Sequence, residues 1–347
     1  MNSFTAFKAF GIEMEYMVVD PITLNILPIA DRILAKAAGY PTEEVEGEGV
    51  NWSNELVKHV VELKNPVPVS SFTLLREPFY LELQRLWKTA EELGAQLLPT
   101  AMHPWMDPLK ETHLWPLENR KIYETYDRIF KCQGHGWANL QSTHINVAFG
   151  QTDQDFGKVH AVLRLICPLI PIIASSSPYQ EGTRGPYKSM RLYHYLQNQK
   201  RIPSILGPVI PEQVWTPSDY EEKILKAMYQ EIAPFDKENV LQYDWLNSRA
   251  VIPKFATHRF EVRVMDLQEC PLADLSLSWF FIEIAKLLLQ EHWVPLGLVQ
   301  KLSSQDLKKI LVEAAEKADE TWIENSDFLN CFGLRNPKVR GSELLNY

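Results

Sequence analysis

The sequence lacks several features that identify common classes of protein. Its four cysteines lie far apart and form no CxxC pair, as is typical of reduced thiols in a cytoplasmic protein rather than of a disulfide framework or zinc site. No run reaches 18 uncharged apolar residues, and the N-terminal segment lacks the apolar core of a signal peptide. We therefore expect no membrane span, and we expect the longest apolar run, at residues 165–174, to be a core helix.

Positive charge and nucleotide-binding motifs are also scarce. The 347 residues carry a net charge of −9 and no Lys/Arg-rich run, which disfavours nucleic acids and anionic membranes as partners. The sequence contains no GxxxxGK[ST] and no GxGxxG after a strand, so a nucleotide would not bind through a P-loop or dinucleotide fingerprint. No repeat or clean linker divides the chain, which favours one domain over residues 1–347, with a helical and irregular part at 290–347.

The pattern of apolar residues predicts an α+β fold. The hydrophobic fraction of 46% is ample for a buried core. Candidate strands are separated by helical hairpins and do not alternate with single helices as in regular βαβ units. This arrangement favours a mostly antiparallel sheet with helices covering one face.

The candidate strand at residues 10–18 has an unusual polar face. Its apolar residues point to one side, and Glu13 and Glu15 point to the other, about 6.5–7 Å apart. At an effective dielectric constant of ~20, two such carboxylates repel by about 2–3 kcal/mol. Either this face is solvated or a cation lies on it.

The same alternation recurs in three further candidate strands. Their polar faces carry Glu62 and Lys64, His144 and Asn146, and Arg259, Glu261 and Arg263. A solvated face explains each strand taken alone. Taken together, the glutamates predict a carboxylate cluster, and oxygen ligands without cysteine or paired histidines suit Mg²⁺ or Mn²⁺. Arg263 would then act as a fixed cation on a transferring phosphate.

Five segments, in this order, resemble glutamate–cysteine ligase family 2, the carboxylate–amine ligases. They are Gly11-Ile-Glu-Met-Glu-Tyr16, Glu55-Leu-Val-Lys-His-Val-Val-Glu-Leu-Lys64, Ser142-Thr-His-Ile-Asn146, Asn247-Ser-Arg249 and Arg259-Phe-Glu-Val-Arg-Val-Met-Asp266. The resemblance covers roughly residues 8–270 and implies the fold of glutamine synthetase and the guanido kinases. In that fold a curved, mostly antiparallel sheet carries metal ions and ATP phosphates on its polar face, with helices outside.

The resemblance also implies roles for individual residues. Arg263 matches the arginine that stabilises the transferring phosphoryl group, and His144 matches a histidine near the phosphate and the amino acid. The implied metal ligands are Glu13, Glu15, Glu55, Glu62 and Glu261. The implied substrate-binding residues are Asn146, Arg184, Arg191 and Arg249.

The implied reaction joins a carboxylate to an amine at the expense of ATP, with Mg²⁺ or Mn²⁺ as the metal. In the type reaction the γ-carboxylate of L-glutamate is phosphorylated and L-cysteine attacks, which gives γ-glutamylcysteine for glutathione biosynthesis. The loops at 134–136 and 175–185 are expected to cover the intermediate. The sequence also allows a ligase with a different carboxylate or amine substrate, a guanido-kinase-like phosphotransferase, or a metal- or nucleotide-binding protein without turnover. It also allows assembly into a homo-oligomer.

Overall fold

An open antiparallel sheet of eight strands forms the centre of the computed structural model, which describes residues 4–344. The strands are β1 (Phe10–Val19), β2 (Glu44–Val45), β3 (Asn51–Asn54), β4 (Val60–Lys64), β5 (Gln96–Leu98), β6 (Ser142–Ala148), β7 (Tyr179–Gln180), β8 (Thr183–Arg184), β9 (Val251–Lys254), β10 (Arg259–Asp266), β11 (Trp322–Ile323) and β12 (Val339–Arg340). The sheet has the order β2-β3-β4-β1-β6-β10-β9, and β5 also pairs with β1. Two small ribbons, β7-β8 and β11-β12, lie outside it.

Helices make up much of the rest of the described chain. They are α1 (Ala30–Ala38), α2 (Arg76–Glu91), α3 (Pro108–Glu111), α4 (Arg120–Phe130), α5 (His135–Ala138), α6 (Asp153–Ile166), α7 (Ile170–Ala174), α8 (Met190–Tyr195), α9 (Pro217–Tyr220), α10 (Lys226–Ile232), α11 (Pro271–Leu289), α12 (Leu296–Val299), α13 (Ser304–Lys317), α14 (Ser326–Asn330) and α15 (Gly341–Leu344). The mixture of helices with an antiparallel sheet confirms the predicted α+β class.

The hydrophobic core lies between one face of the sheet and the helices. The apolar side chains of β1 belong to this core, together with side chains from α2, α6, α7 and α11. Met14 and Val18, for example, are completely buried. Packing of this face fixes which side of β1 carries Glu13 and Glu15, because neighbouring side chains of a strand point to opposite faces.

Local sequence signals account for several helix ends. Gly39 adopts a left-handed conformation directly after α1, where its backbone N–H bonds to the carbonyl of Ala35. Thr152 and Asp155 form a reciprocal capping box at the start of α6. The apolar run at 165–174 contains Pro168 and Pro171, and a short 3-10 turn at Cys167–Leu169 separates α6 from α7 there.

The strand boundaries differ in three places from those that the residue pattern predicts. Apolar residues within 56–64 predict one strand, but β4 begins only at Val60. The acidic, glycine-bearing segment 43–49 predicts a loop, yet it contributes β2, and β3 follows soon after it. Residues 243–255 show no regular pattern, yet they contain β9 at the edge of the sheet.

One continuous helical stretch, Asp153–Ala174, is long and apolar enough to cross a membrane by composition. It is the only such stretch in the described part of the chain, and 89% of its most apolar window is buried inside the molecule. It comprises α6 and α7, which pack in the core as the sequence predicts for residues 165–174.

Glu82 of α2 is a buried carboxylate that holds the turn between β2 and β3. It accepts a hydrogen bond from the indole N–H of Trp52 at 2.9 Å and one from the backbone N–H of Glu48 at 3.0 Å. Arg85 lies 3.2 Å from the same carboxylate. The hydrogen bond between Trp52 and Glu82 thus holds β3 against α2.

Replacing Glu82 by alanine is therefore expected to lower the free energy of unfolding by about 2–4 kcal/mol, because the buried indole N–H of Trp52 and the part-buried backbone N–H of Glu48 lose their acceptor. Urea denaturation followed by circular dichroism measures this change. The control is Glu77→Ala on the exposed side of α2, which should change the value by less than about 0.5 kcal/mol. Equal urea midpoints for Glu82→Ala and the wild type would contradict the assigned role.

Candidate active site

Strand pairing places the predicted acidic residues side by side. β1 pairs with β4 so that Glu15 lies opposite Glu62, and with β6 so that Glu13 lies opposite His144. β10 lies on the other side of β6 and adds Glu261. Residues that are distant in the sequence thus meet on one face of the sheet because opposite residues of paired strands are direct neighbours.

This face is the wall of a cavity of about 1000 Å³, a volume that includes open solvent. The four strand glutamates expose only 2–8% of their surface, so the interpretation as a solvated strand face does not hold. The charged and amide side chains that line the cavity are Glu13, Glu15, Glu55, Glu62, Lys64, Asn65, His144, Asn146, Lys254, Arg259, Glu261 and Arg263.

His144 lies at the centre of the carboxylates. Its Nδ1 lies 3.0 Å from Oε2 of Glu13 and 4.0 Å from Oε1 of Glu261, and its Nε2 lies 3.9 Å from Oε1 of Glu15. His144 with Glu13 and Glu261, and His144 with Glu15 and Glu62, form two groups whose ligand atoms lie within 4.8 Å of one another. Carboxylate oxygens dominate both groups, and this donor set fits a hard divalent cation such as Mg²⁺ or Mn²⁺.

Cationic side chains compensate the charges of Glu13 and Glu261. Burial and the charge of Glu261 raise the pKa of Glu13, but the hydrogen bond with His144 and the charges of His144 and Arg259 outweigh them, so this pKa is lowered overall. Burial also acts to raise the pKa of Glu261, yet Lys254, at 3.3 Å, and two nearby arginines hold it well below its usual value. Both carboxylates are therefore ionised at neutral pH.

Cationic side chains compensate the charges of Glu62 and Glu55 less completely. Burial and repulsion by Glu13 raise the pKa of Glu62, although Lys64 lies 3.2 Å away. Burial also raises the pKa of Glu55 well above its usual value, with added repulsion from Glu62 and Glu15. Further positive charge at this end would stabilise the ionised carboxylates, and a divalent cation supplies such charge.

The alternation of side chains along a strand does not explain why Glu55 lines the cavity. On one unbroken strand its position would put it on the opposite face from Glu62. The chain instead bends between the two residues, because β4 begins only at Val60. Glu55 precedes this bend and lines the same cavity as Glu62.

Arg263 is the predicted phosphoryl-stabilising residue, and it lies where β10 has an irregular register with β6 between Val262 and Met265. Its guanidinium donates to the carboxylate of Glu261, and its Nε has no hydrogen-bond partner. Burial acts to lower the pKa of Arg263, but Glu261 outweighs this effect and the pKa is raised. Arg263 lines the cavity as a permanently charged group, which is suited to bind an anionic oxygen.

A second cavity, of about 730 Å³ including open solvent, adjoins the first. The two share Glu15, Glu55, His144 and Arg263 as lining residues. The second cavity also has an aromatic wall, which consists of Tyr123, Tyr126, Trp137 and Tyr195.

Arg191 of α8 lines this second cavity and exposes only 2% of its surface. Its Nη2 donates to the backbone carbonyl of Arg263 at 2.8 Å, and its Nη1 lies 3.5 Å from the carboxylate of Asp266. Its Nε and Nη1 have no hydrogen-bond partner. Arg191 thus already has an anionic partner in Asp266, and its two donor atoms without a hydrogen-bond partner are shielded from solvent.

The two loops predicted as covers contact each other. The first, at 134–136, is not a loop throughout, because α5 begins at His135. The Nε2 of His135 lies 3.1 Å from Oε1 of Glu181 in the second. Gly136 and Trp137 follow His135 and line the second cavity. The loop at 175–185 contains the β7-β8 ribbon, which ends at the exposed Arg184.

The structure does not bring all predicted substrate residues to the cavities. Arg184 is exposed and lies outside both linings. Arg249 is buried, but its guanidinium is bound by Glu212 at 2.6 and 2.7 Å and by the carbonyl of Ser204 at 3.0 Å. Asn146 does line the first cavity, where its Nδ2 donates to Glu13 at 3.0 Å.

Sequence reasoning missed several residues of the site. The sequence pattern puts Arg259 on the polar face of its strand with Glu261 but gives it no role in the site. Lys254 lies on β9, whose strand was not recognised. Ser142, which donates its backbone N–H to Glu15 at 2.7 Å, begins β6 and gives no distinctive signal. The aromatic wall comes from α4, α5 and α8 and follows no spacing in the sequence.

Known proteins are similar to this chain in sequence or in fold. An uncharacterised protein of Archaeoglobus fulgidus is 35% identical over 320 residues, which span 89% of this chain and 85% of that protein. A Rubrobacter xylanophilus protein, named provisionally as glutamate–cysteine ligase 2-3, is 27% identical over 185 residues, 52% of this chain and 46% of its own length. Among solved structures, the glutamate–cysteine ligase of Francisella tularensis in complex with AMP superposes with a TM-score of 0.59 at 12% identity, covering 99% of this chain and 77% of that one.

The superposition identifies the glutamine synthetase-like ligase fold. A family model described as glutamate-cysteine ligase family 2 matches residues 9–318, and the chain belongs to that family. This confirms the resemblance seen in the five sequence segments. Family and fold together support an ATP-dependent carboxylate–amine ligase.

The electrostatics of the site predict how Glu55 affects stability in the absence of metal and nucleotide. The unfolded chain releases this proton near pH 4.3, and the folded chain retains it to higher pH. The wild type therefore loses the stability that protonated Glu55 provides as the pH rises between these two values, and the Glu55→Gln variant lacks this part of the loss. In chelator at pH 8 we expect the variant to melt about 2 °C higher, the shift that about 1 kcal/mol produces in a large domain.

The difference between the two melting temperatures should vanish near pH 4, where Glu55 is protonated in both states. Scanning fluorimetry from pH 4 to pH 8 measures it. Glu46→Gln, at an exposed position in the preceding turn, is the matched control and should follow the wild type at every pH. A lower melting temperature for Glu55→Gln at pH 8 would contradict the assignment.

Proposed function

We propose that this protein is an ATP- and Mg²⁺-dependent ligase that activates the γ-carboxylate of L-glutamate as an acyl phosphate and joins it to an amine. The observation that carries the proposal is the contact between two cavities of different chemistry. One is lined by buried carboxylates, and the other is lined by aromatic side chains together with Arg191 and Arg263. Arg263 lines both and lies where a phosphoryl group would pass from one to the other.

The first cavity is assigned to the ATP phosphates. Glu13, Glu15, Glu55, Glu62 and Glu261 would hold Mg²⁺, or Mn²⁺ in its place. The bound cation supplies positive charge to the phosphate oxygens. Lys254 and Arg259, at the other end of this cavity, contribute fixed positive charge. Such an arrangement explains why so many carboxylates are collected in one place.

Arg263 is assigned to the phosphoryl transfer. An oxygen of the substrate carboxylate attacks the γ-phosphorus of ATP, the bond from that phosphorus to the bridging oxygen breaks, and ADP leaves. The guanidinium of Arg263 donates a hydrogen bond to an oxygen of the transferring group. Because Glu261 fixes the guanidinium, little reorganisation is needed during the reaction.

The second cavity is assigned to the amino-acid substrate and the amine. Arg191 binds the α-carboxylate of L-glutamate and leaves the γ-carboxylate to reach the phosphate. The amine nitrogen then attacks the carbonyl carbon of the acyl phosphate, phosphate leaves, and the nitrogen loses a proton. The aromatic wall and the two contacting loops exclude water from the intermediate. The type reaction of the family implies L-cysteine as the acceptor.

Omitting the amine distinguishes a ligase from a phosphotransferase. With Mg-ATP and L-glutamate alone, a coupled assay should show little ADP release, and adding L-cysteine or another amine should increase the rate at least tenfold. Hydroxylamine should trap the acyl phosphate as a hydroxamate. An ADP release rate independent of any amine would indicate a kinase. A thermal shift with Mg-ATP but no ADP with any substrate would indicate a binding protein.

Substitution of Arg263 or Glu15 tests the site itself. We expect Arg263→Ala and Glu15→Gln to lower kcat for ADP release by about 100-fold or more, the usual cost of losing one donor to the transition state. Circular dichroism spectra should match that of the wild type. Arg76→Ala, at an exposed position in the first turn of α2, is the control for removing an arginine. Turnover by Arg263→Ala within threefold of the wild type would rule out the assigned role.

A further inference from the structure

One buried carboxylate, that of Asp266 at the end of β10, holds both ends of the segment 176–189, which contains the β7-β8 ribbon. At the first end it accepts a hydrogen bond from the backbone N–H of Ser176 at 3.0 Å and one from the hydroxyl of Ser177 at 2.8 Å. At the other end it accepts one from the hydroxyl of Ser189 at 2.9 Å. The segment thus leaves the body of the protein and returns to it at the same side chain.

A change of register in β10 turns Asp266 toward this segment. Between Val262 and Met265 the pairing with β6 shifts by one residue. Side chains alternate along a regular strand, so without the shift Asp266 would lie on the core face with Val262. Beyond the shift it pairs instead with Ser142, which lies on the same face of β6 as His144. An extra residue in a strand re-aims the side chains that follow it, and such irregularities are common beside active sites.

Between its two ends the segment contacts the helices that line the second cavity. Oε1 of Gln180 lies 2.6 Å from Nε2 of His194 in α8, and Oε1 of Glu181 lies 3.1 Å from Nε2 of His135 in α5. Both helices contribute aromatic side chains to the wall of this cavity. The segment therefore connects the end of β10 to that wall.

The same carboxylate also lies close to the reaction centre. Its Oδ1 lies 3.5 Å from Nη1 of Arg191, and Nη2 of Arg191 donates to the backbone carbonyl of Arg263 at 2.8 Å. A carboxylate that exposes only 2% of its surface requires partners of this kind. Loss of the Asp266 carboxylate would therefore release both ends of the segment and leave Arg191 without its anionic partner.

From these contacts we infer that Asp266 is a positioning residue that keeps the second cavity closed to water while the acyl phosphate is present. Asp266 lines neither cavity and acts through the segment 176–189, which holds α5 and α8 in place. Without this anchor, the oxygen of a water molecule attacks the carbonyl carbon of the acyl phosphate. The bond from that carbon to the phosphate oxygen breaks, a proton passes to solvent, and L-glutamate and phosphate leave without amide product. The inference rests on the proposed ligase function and deepens it.

The ratio of ADP released to amide product formed measures this loss of the intermediate. The full-length protein is assayed with Mg-ATP, L-glutamate and hydroxylamine, and the hydroxamate is quantified. In Asp266→Asn we expect the ratio to rise about threefold or more, because water competes with the acceptor. A merely structural role would lower both rates together and leave the ratio unchanged.

Asp236→Asn is the matched control for this assay. Asp236 is another aspartate that exposes 2% of its surface, and it accepts hydrogen bonds from the backbone N–H groups of Val240 and Leu241 at 3.1 and 2.8 Å. It lies outside the linings of both cavities. The variant should keep the wild-type ratio, even where its total activity is lower.

Limited proteolysis tests the anchor independently of the reaction. Arg184 is exposed in the ribbon, and trypsin cleaves after arginine. Release of the two ends should raise the rate of cleavage after Arg184 about fivefold or more in Asp266→Asn, because cleavage follows the population of the opened segment. Asp236→Asn should be cleaved there at the wild-type rate. Ser177→Ala, which removes one of the three hydrogen bonds, should shift both measurements in the same direction by less, and it replaces Asp266→Asn if that variant does not fold.

The outcomes separate this inference from the proposed function. A wild-type ratio in Asp266→Asn would overturn the inference and leave the ligase intact, even with faster cleavage after Arg184. A raised ratio with an unchanged cleavage rate would overturn it as well, since the effect would not pass through the segment. Absence of both hydroxamate and ADP release in the wild type would overturn the ligase proposal and the inference together.

Discussion

Repulsion between buried carboxylates is the constraint on which the rest of this structure depends. Glu13, Glu15, Glu62 and Glu261 are held together by the register of paired strands, although each is better solvated apart from the others. The stabilising energy comes from the opposite face of the same strands, where an apolar layer packs against helices. The core thus maintains an arrangement that the site alone would not adopt, as is usual for functional residues that violate local rules.

Positive charge is distributed unevenly among the carboxylates of the site. Lys254, Arg259 and Arg263 balance Glu13 and Glu261, whereas Glu55 and Glu62 remain undercompensated. The undercompensated end adjoins the aromatic cavity. A cation bound there would therefore lie close to the place where the two cavities meet, next to the guanidinium of Arg263.

Much of the carboxylate face could be predicted from the sequence, because the side chains of a strand alternate with a period of two. This rule found Glu13 and Glu15 together, and it found Glu261 beside Arg263. It failed for Glu55, whose position depends on a bend before β4 that no turn residue marks. It also could not separate Arg191 from Arg184, since the difference between them is burial on α8 against exposure on a surface ribbon. Those distinctions arise from tertiary packing, which a local pattern does not encode.

The hydrogen bond from Arg191 to the carbonyl of Arg263 joins a side chain of the second cavity to the main chain of a residue that lines both cavities. A change at Arg191 therefore also removes a contact that holds the backbone of Arg263. The energetic effects of changing these two arginines should consequently not add, because residues that share a contact are coupled. A loss of activity in an Arg191 variant would thus combine two effects, the loss of its own side chain and the displacement of Arg263.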